Sequence, residues 1–271
     1  MKVIEASFEI LPEIGIEKDI ERAARICYKS ENLITENSAQ SMVERLIKNK
    51  HTAMLEHGTV YLTIKLPTDC SDDSDSIKLL EAVIFFKENC YSKVVKDKNI
   101  YYITTNLRVI KESYSGIDLT DYIVFPSKKH KLRRSVKFIC SRAIAQQLTR
   151  HRKFSMAMES QRFCNYSKDK FEHCISFIRP QFVNEQTYDL WYKTCVMSEN
   201  AYFNLLEMGR SPQEARAVLL NCTKTEIIMT GYDEDWEYFF KLRASNEFGK
   251  PDPDILALTI PLKSKFDEII K

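Results

Sequence analysis

Three basic side chains stand next to one another at Arg150, His151 and Arg152, and Ser160 and Arg162 follow shortly after them. Adjacent cations repel each other unless an anion approaches, and the planar guanidinium of arginine donates paired hydrogen bonds to phosphate or carboxylate groups. The stretch therefore predicts a site for a phosphorylated ligand. The Arg-His-Arg triplet alone is equally compatible with a solvated helix end, where cations interact favourably with the helix dipole.

Composition and charge restrict the kind of protein that carries this stretch. The chain has 271 residues, of which 44% are hydrophobic, so it can bury a sizeable core in one elaborated domain or two small ones. Its formal charge of +2 is far from the strong excess of a protein that wraps a nucleic-acid backbone. The anions that it binds are therefore expected to be small molecules, with no nucleic-acid partner.

Several motifs of other chemistries are absent from the sequence. The eight cysteines include no CxxC pair and the five histidines no HExxH helix, so we expect free thiols and no metal site. Neither a GxGxxG nor a GxxxxGK[ST] loop is present, which leaves phosphate recognition to side chains. No apolar run approaches the roughly 20 residues of a membrane span, and the first residues do not resemble a signal peptide. We expect a cytoplasmic protein without a membrane partner.

Hydrophobic spacing predicts an α/β (α+β) fold in a single domain over 1–271, with a mixed sheet flanked by helices and a helical C-terminal part. Helices are predicted at 17–29 and 39–49, and strands at 60–66 and 136–140; the second strand leads into a helix that carries Gln147 and Arg150. Further helices are predicted at 187–208, from Ser211 through Arg216, at 235–243 and at 254–270, where Pro261 should kink or break the last one.

A long segment at about 67–134 separates the two predicted strands. It begins with the acidic stretch 69–76, continues through a predicted helix at 77–90 and a strand at 100–105, and ends in the basic run 128–134. The basic run fits either a solvated loop or a surface that steers anionic substrates towards the protein.

The spacing of the basic motif, Arg-His-Arg, seven residues, Ser, one residue, Arg, resembles the signature of the flavin-dependent thymidylate synthases. Four more blocks are similar to segments of that family and occur in the same order: 22–28, 51–57, 214–219 and 240–243. The resemblance covers most of the chain and leaves 67–134 as an insertion. It implies an enzyme that makes dTMP from dUMP with methylenetetrahydrofolate as carbon donor, NADPH as reductant and FAD as cofactor.

The resemblance also assigns roles to individual residues. It implies FAD binding by His51, Ala53, Arg150, His151, Arg152 and Tyr238, and dUMP binding by Gln147, Arg150, Glu159, Ser160, Gln161, Arg162, Arg216 and Arg243. Ala53 stands where many members have Ser or Thr, so its contact would be through the backbone. Ala157 and Met158 replace an Asn-Glu pair that is common in the family, and the carboxylate follows one position later at Glu159.

The reaction needs a nucleophilic C5 on the uracil, and the flavin route requires no cysteine nucleophile. Arg243 is expected beside the uracil ring, where it would stabilise negative charge that develops on the N3/O4 edge. His57 fits either a core histidine or a catalytic group, and His51 is the favoured neighbour of the flavin. The role of the segment 249–255 is open.

Family members assemble their active sites between the subunits of a homotetramer, and the resemblance implies the same for this chain. Two alternatives to the main interpretation remain at this stage. The first is another flavin-dependent pyrimidine nucleotide methylase, and the second is a non-enzymatic nucleic-acid-binding protein that uses 128–134 and 150–162 as one basic surface.

Overall fold

The strands form three separate sheets in the computed structural model, which describes residues 1–67 and 74–270. Four strands in the order β2-β6-β9-β7 make the central antiparallel sheet, β3-β5-β4 make a second antiparallel sheet, and β1 pairs with β8 in parallel. The strands are β1 (Lys2–Ile4), β2 (Ser7–Leu11), β3 (Thr59–Lys65), β4 (Lys93–Asp97), β5 (Ile100–Asn106), β6 (Arg133–Ser141), β7 (Ser155–Met158), β8 (Ser176–Ile178) and β9 (Lys224–Tyr232).

Helices flank these sheets, and the predicted α+β class is confirmed. They are α1 (Ile16–Ile26), α2 (Ser38–Lys48), α3 (Ser74–Glu88), α4 (Arg142–Leu148), α5 (Glu185–Glu207), α6 (Pro212–Ala215), α7 (Asp233–Arg243) and α8 (Pro253–Ile270). Short 3-10 turns occupy Glu31–Leu33, Thr52–His57, Thr120–Tyr122, Asp169–Phe171 and Arg216–Val218, and a π turn occupies Val109–Ser113. The two N-terminal helices and the strands predicted near 60–66, 100–105 and 136–140 are present.

The largest hydrophobic core lies between the central sheet and helices α4, α7 and α8. Trp236 is fully buried there, with its ring centroid 4.6 Å from that of Phe154 and 5.2 Å from that of Phe266. Its indole N–H donates to the backbone oxygen of Arg134 at 3.2 Å, which satisfies the only polar atom of the side chain. The aromatic packing fixes α7, the helix that carries Tyr238 and Arg243, against the sheet.

Strand β9 lies inside the C-terminal part that the sequence predicted to be helical. It pairs with β6 over nine residues on one side and with β7 on the other, and eight of its nine residues are buried. Its sequence, KTEIIMTGY, places buried polar residues among apolar ones on both faces, so it shows neither regular alternation nor a continuous apolar run that would predict a strand.

The segment 67–134 does not form a separate body in its described part. Strand β5 pairs with β3 along all seven residues from Thr59↔Asn106 to Lys65↔Ile100, and α3 packs on this sheet through Ala82, Val83 and Phe86. Residues 68–73, which include most of the predicted acidic stretch and Cys70, lie outside the described residues. The basic run at its end is largely paired with acidic groups: Lys129 with Asp97, Lys131 with Glu234 and Arg134 with Asp233.

Helix ends differ from the prediction at three places that bear on the site. Helix α4 ends at Leu148, so Arg150 lies beyond it and does not share a helical face with Gln147. Ser211 and Glu214 form the predicted capping box, but α6 lasts only one turn and Arg216 stands at its C-terminal end. Helix α8 continues through Pro261 without a break.

Gly231 in β9 provides a test of the packing between the sheet and the candidate site. A Cβ atom at this position would lie 2.6 Å from Cδ1 of Phe154, which is closer than side chains tolerate. We expect Gly231→Ala to lower the free energy of unfolding by about 1–3 kcal/mol, the usual range for overpacking. Chemical denaturation of Gly231→Ala, Phe154→Leu and the double variant measures the coupling. The double variant should be less destabilised than the sum of the two, and strict additivity would contradict the contact.

Candidate active site

The predicted ligand-binding residues divide into two groups at opposite ends of β7. This strand is the edge of the central sheet and pairs with β9 from Ser155↔Thr230 to Met158↔Ile227. Residues 150–154 precede the strand and residues 159–162 follow it. A strand rises about 3.3 Å per residue, so four residues hold its two ends roughly 10 Å apart. The two halves of the basic motif are therefore separated within one chain.

The first group meets at an open cleft of about 590 Å³ between the 150–154 turn and α7. Five residues that the sequence predicted to bind ligands line it: Arg150, His151, Arg152, Tyr238 and Arg243. Arg150, Arg152 and Tyr238 are exposed, while His151 and Arg243 are half-buried. The structure thus brings the Arg-His-Arg triplet together with the arginine that was predicted to stand beside the uracil.

Arg243 and His151 contact each other directly in this cleft. The Nε of Arg243 donates to Nε2 of His151 at 3.0 Å, and Nη2 of Arg243 donates to the backbone oxygen of Gln147 at 3.4 Å. A guanidinium has no acceptor, so His151 must be neutral with its proton on Nδ1. Burial, together with the positive charge of Arg243, lowers the pKa of His151 to about 4. Burial also lowers the pKa of Arg243, and the negative charge of Asp252 opposes that effect.

Gln147 lies behind Arg243 at the end of α4. Its Nε2 donates to Oδ2 of Asp252 at 2.8 Å, and its backbone oxygen also accepts the N–H of Arg150 at 3.3 Å. Gln147 and Arg150 are thus close through the turn that ends α4, where the sequence predicted a common helical face. The chain leaves the helix before Arg150 because β7 begins only seven residues after α4 ends.

The second group, Ser160, Gln161 and Arg162, lies near α6 and Arg216. Nε of Arg162 donates to Oε1 of Gln213 at 2.9 Å, and Gln213 is three positions before Arg216. The hydroxyl oxygen of Ser160 accepts the backbone N–H of Arg162 at 3.3 Å, and the buried Nε2 of Gln161 has no partner. Within residues 1–67 and 74–270, no carboxylate forms an ion pair with Arg162 or Arg216. Such guanidinium groups are available to an anion.

Glu159 points into the protein. It is buried, its Oε2 accepts from Nζ of Lys224 at 2.8 Å, and its Oε1 accepts from the hydroxyl of Tyr166 at 3.4 Å. The neighbouring Glu226 pairs with Lys29, Lys137 and Lys224. Burial opposes ionisation there, but these lysines lower the pKa of Glu226 to about 2. The contact of Glu159 with a nucleotide stays a prediction, since the structure gives its carboxylate internal partners.

The 3-10 turn Thr52–His57 and the residue before it hold the other predicted flavin contacts. His51 and Ala53 are exposed and do not line the cleft of the first group. His57 is buried, with Nδ1 2.8 Å from the hydroxyl of Thr230 and with Nε2 unpartnered. Burial, assisted by the positive Arg133, lowers its pKa to about 3. Of the two interpretations of His57, these contacts support the core histidine.

The described cysteines are free thiols, and none of them lines the cleft. Burial raises the pKa of Cys140 and of Cys164 to about 12, which keeps both protonated. Cys195 and Cys222 place their sulfur atoms 3.9 Å apart in the hydrophobic cluster that contains Phe177 and Tyr202. The described ranges contain no group of three or more His, Cys, Asp or Glu side chains that could hold a metal ion.

Comparison with known proteins now identifies the family. The model of the family described as thymidylate synthase complementing protein matches residues 9–114 and 132–260. The chain belongs to this family. The match includes the described part of the predicted insertion up to residue 114, and it leaves 115–131 between its two ranges.

Curated relatives match a shorter part of the chain. A protein of Pyrococcus furiosus called flavin-dependent thymidylate synthase is 30% identical over 106 residues, which cover 38% of this chain and 43% of that protein. A protein of the same name from Corynebacterium efficiens is 29% identical over 147 residues, covering 47% of this chain and 54% of the relative. The chain thus spans about half the length of the relatives that it matches, or less.

A solved structure is similar over nearly the whole chain. It is a UMP/dUMP methylase of Streptomyces cacaoi with 5-Br dUMP bound, and it shares 12% of its sequence with this chain at a TM-score of 0.48, covering 99% of this chain and 93% of the other. No helix within residues 1–67 and 74–270 has both the length and the apolar character needed to cross a membrane.

Four lining residues of the cleft were not predicted from the sequence: Lys153, Phe154, Asp235 and Leu242. Nζ of Lys153 lies 3.6 Å from Oδ1 of the buried Asp235. Lys153 follows the triplet directly, so its position in the chain could have predicted that it lines the cleft. The position of Asp235 is less informative, because the helix dipole alone makes an acidic residue common in the first turn of a helix.

His57 provides a test through the pH dependence of stability. Its folded pKa of about 3 lies below the ordinary value of 6.5, so between these pH values the unfolded chain takes up a proton that the folded chain does not. Stability therefore falls as the pH is lowered through this window. Urea unfolding at pH 7 and 4.5 should show a smaller fall for His57→Gln than for the parent protein. The exposed His51→Gln is the matched control and should keep the parental fall; equal falls in all three proteins would contradict the assignment.

Proposed function

We propose that this protein is a flavin-dependent thymidylate synthase, which converts dUMP to dTMP with methylenetetrahydrofolate as carbon donor and NADPH as reductant. The observation that carries the proposal is the cleft where Arg150, His151, Arg152, Tyr238 and Arg243 meet. Family membership and the name of the curated relatives support the same reaction. Cytoplasmic location is proposed with it.

The side chains of the cleft suit FAD. Arg150, Arg152 and Lys153 offer guanidinium and ammonium donors for a diphosphate, and Tyr238, Phe154 and Leu242 offer apolar surface for a ring system. The buried Asp235 is the one carboxylate among the described lining residues. When bound, FAD would supply the redox chemistry, while the protein binds and orients it. His51 and Ala53 would contact the flavin from another subunit, because they do not line this cleft.

The second group suits the phosphate of dUMP. The hydroxyl of Ser160 and the guanidinium groups of Arg162 and Arg216 have no carboxylate partner in the described chain, and they provide donors of the kind that phosphate accepts. Gln147, Arg150 and Arg243 at the other end of β7 would face the pyrimidine. The two groups lie at opposite ends of β7, an arrangement that suits a site taking one group from each of two copies of the chain. We therefore propose a homotetramer with active sites between subunits.

Arg243 would act on the base itself. Its guanidinium is half-buried and held by neutral His151, so it faces a ligand without a competing carboxylate in direct contact. A fixed donor in a partly desolvated site stabilises negative charge on a carbonyl oxygen by a few kcal/mol. We assign the activation of the uracil to the arginine and the flavin, which would leave the buried cysteines without a catalytic task.

The two alternatives differ in their support. Another flavin-dependent pyrimidine nucleotide methylase would use the same arrangement, and product analysis with dUMP separates it from a thymidylate synthase. A nucleic-acid-binding protein needs an open basic surface, but Lys129, Lys131 and Arg134 are engaged by carboxylates and Arg133 is buried. The pairing disfavours this second alternative.

The proposal predicts that the purified protein takes up FAD and that dUMP accelerates its oxidation of NADPH. Absorbance after removal of free flavin measures binding, and chromatography of the products with methylenetetrahydrofolate present measures dTMP. Arg152→Ala should weaken FAD binding by about 1.5–3 kcal/mol, as expected for a lost charge-assisted hydrogen bond. Folded protein without a bound flavin spectrum at saturating FAD would exclude the proposal.

The separation of the two groups predicts complementation between inactive variants. Arg162→Ala removes a phosphate donor and Arg243→Ala removes the donor beside the base, so each variant alone should lose most of its activity. Refolding them together in equal amounts should restore about a quarter of the parental sites, since each site takes one group from each of two copies. The mixture of Arg162→Ala with Arg216→Ala is the control and should stay inactive. No recovery in the first mixture would mean that both groups act within one chain.

A further inference from the structure

Asp252 joins the start of α8 to the candidate active site. Its Oδ1 accepts the backbone N–H of Asp254 at 2.9 Å, and its backbone oxygen accepts the N–H of Ile255 at 3.1 Å. Asp252 therefore caps α8, and Pro253 follows at the first helical position, where proline is favoured. The sequence left the role of the segment 249–255 open. In the structure, one carboxylate oxygen of its residue Asp252 caps α8.

The other carboxylate oxygen holds the side chain of Gln147. Oδ2 of Asp252 accepts from Nε2 of Gln147 at 2.8 Å. An ionised carboxylate can only accept hydrogen bonds. The side-chain amide of Gln147 must therefore turn its NH2 group, and not its oxygen, towards Asp252. Oε1 of Gln147 then points away from the carboxylate, and no hydrogen bond among the described residues engages it. Gln147 is thus fixed as a hydrogen-bond acceptor.

Arg243 contacts the same residue through its backbone. Nη2 of Arg243 reaches the backbone oxygen of the same Gln147, and Nε is engaged by His151, which leaves Nη1 for a ligand. The negative charge of Asp252 also supports the charged form of Arg243 against its burial. Asp252 therefore acts on both residues, on Gln147 through a hydrogen bond and on Arg243 through its negative charge.

We propose that Asp252 is a positioning residue that sets the base specificity of the site, by holding Gln147 so that it selects a uracil edge over a cytosine edge. The proposal rests on the function proposed above. Uracil presents the O4 acceptor and the N3–H donor, which match the donors of Arg243 and the acceptor of Gln147. Cytosine presents an amino donor and an N3 acceptor in their place. A site that is built to make hydrogen bonds rejects the analogue that leaves its polar groups unpaired.

Asp252→Asn separates this task from helix capping. Asparagine caps a helix about as well as aspartate, so the start of α8 should remain. With its oxygen on the N–H of Asp254, the new side chain turns its NH2 group towards Gln147. Gln147 must then reverse its amide and present NH2 to the ligand. Asp254→Asn is the matched control, since it removes one negative charge from the same helix start, and its Oδ1 accepts from Gln181 rather than Gln147.

Calorimetric titration of the FAD-loaded oligomer with dUMP and with dCMP measures the effect. We expect Asp252→Asn to weaken dUMP binding about tenfold and to reduce the preference for dUMP over dCMP by at least as much, as one misplaced hydrogen bond does. Asp254→Asn should keep both constants, and thermal unfolding should be alike in the two variants. Adding Gln147→Glu to Asp252→Asn should restore the preference, because a carboxylate offers an acceptor in either orientation.

The outcomes distinguish this inference from the proposed function. An unchanged preference in Asp252→Asn, or an equal loss in Asp254→Asn, would overturn the role of Asp252 while dTMP formation by the parent protein still stood. A parent protein that binds no dUMP would remove the proposed function and this inference with it. Should Asp252→Asn fail to fold, Asp252→Ser keeps the cap and releases Gln147. A parental preference in that variant would equally overturn the inference.

Discussion

The pairing of β7 with β9 is the constraint on which the candidate site depends. Its register fixes the 150–154 turn at one end of a four-residue strand and the 159–162 turn at the other. Strand β9 is paired along both edges, with β6 over nine residues and with β7 over four, so a shift of its register would break both ladders. The basic motif is continuous in sequence and divided in space, so a single chain carries half of the proposed nucleotide site at each end of one strand.

Buried positive charge holds the surroundings of this strand in place. Arg133 is buried and forms no ion pair with any described carboxylate; Nη1 donates to the backbone oxygen of Glu56 at 2.9 Å and Nη2 to the hydroxyl of Ser155 at 3.1 Å. The turn that contains Ala53 is thereby tied to the start of β7. The same charge helps to keep His57 neutral, as Arg243 does for His151. In both places burial is the main cause of the lowered histidine pKa, and a neighbouring arginine adds to it because two nearby cations repel each other.

Much of the fold could be predicted from the sequence, and so could five of the nine residues that line the cleft. Amphipathic spacing predicted α1 and α2, and the motif blocks singled out the triplet, Tyr238 and Arg243, which the structure places in one cleft. Strand β9 was not predicted because it is buried on both faces. The role of Asp252 was not predicted because its partner Gln147 lies 105 positions away. Contacts of this kind arise from tertiary packing, which the hydrophobic period and the secondary-structure propensity of a segment do not describe. The separation of Arg152 from Ser160 required the strand between them to be known.

The displacement of the motif's acid by one position has a physical consequence at the end of β7. The backbone ladder continues one residue past the strand, because the N–H of Glu159 donates to the oxygen of Glu226 at 2.9 Å. Side chains at successive positions of a strand point to opposite faces, so an acid at 159 faces the side opposite to one at 158. Met158 packs against the main core, and Glu159 is buried beside Lys224. The carboxylate is thus compensated inside the protein, and it leaves Ser160 and Arg162 without an anionic neighbour that would compete with a phosphate.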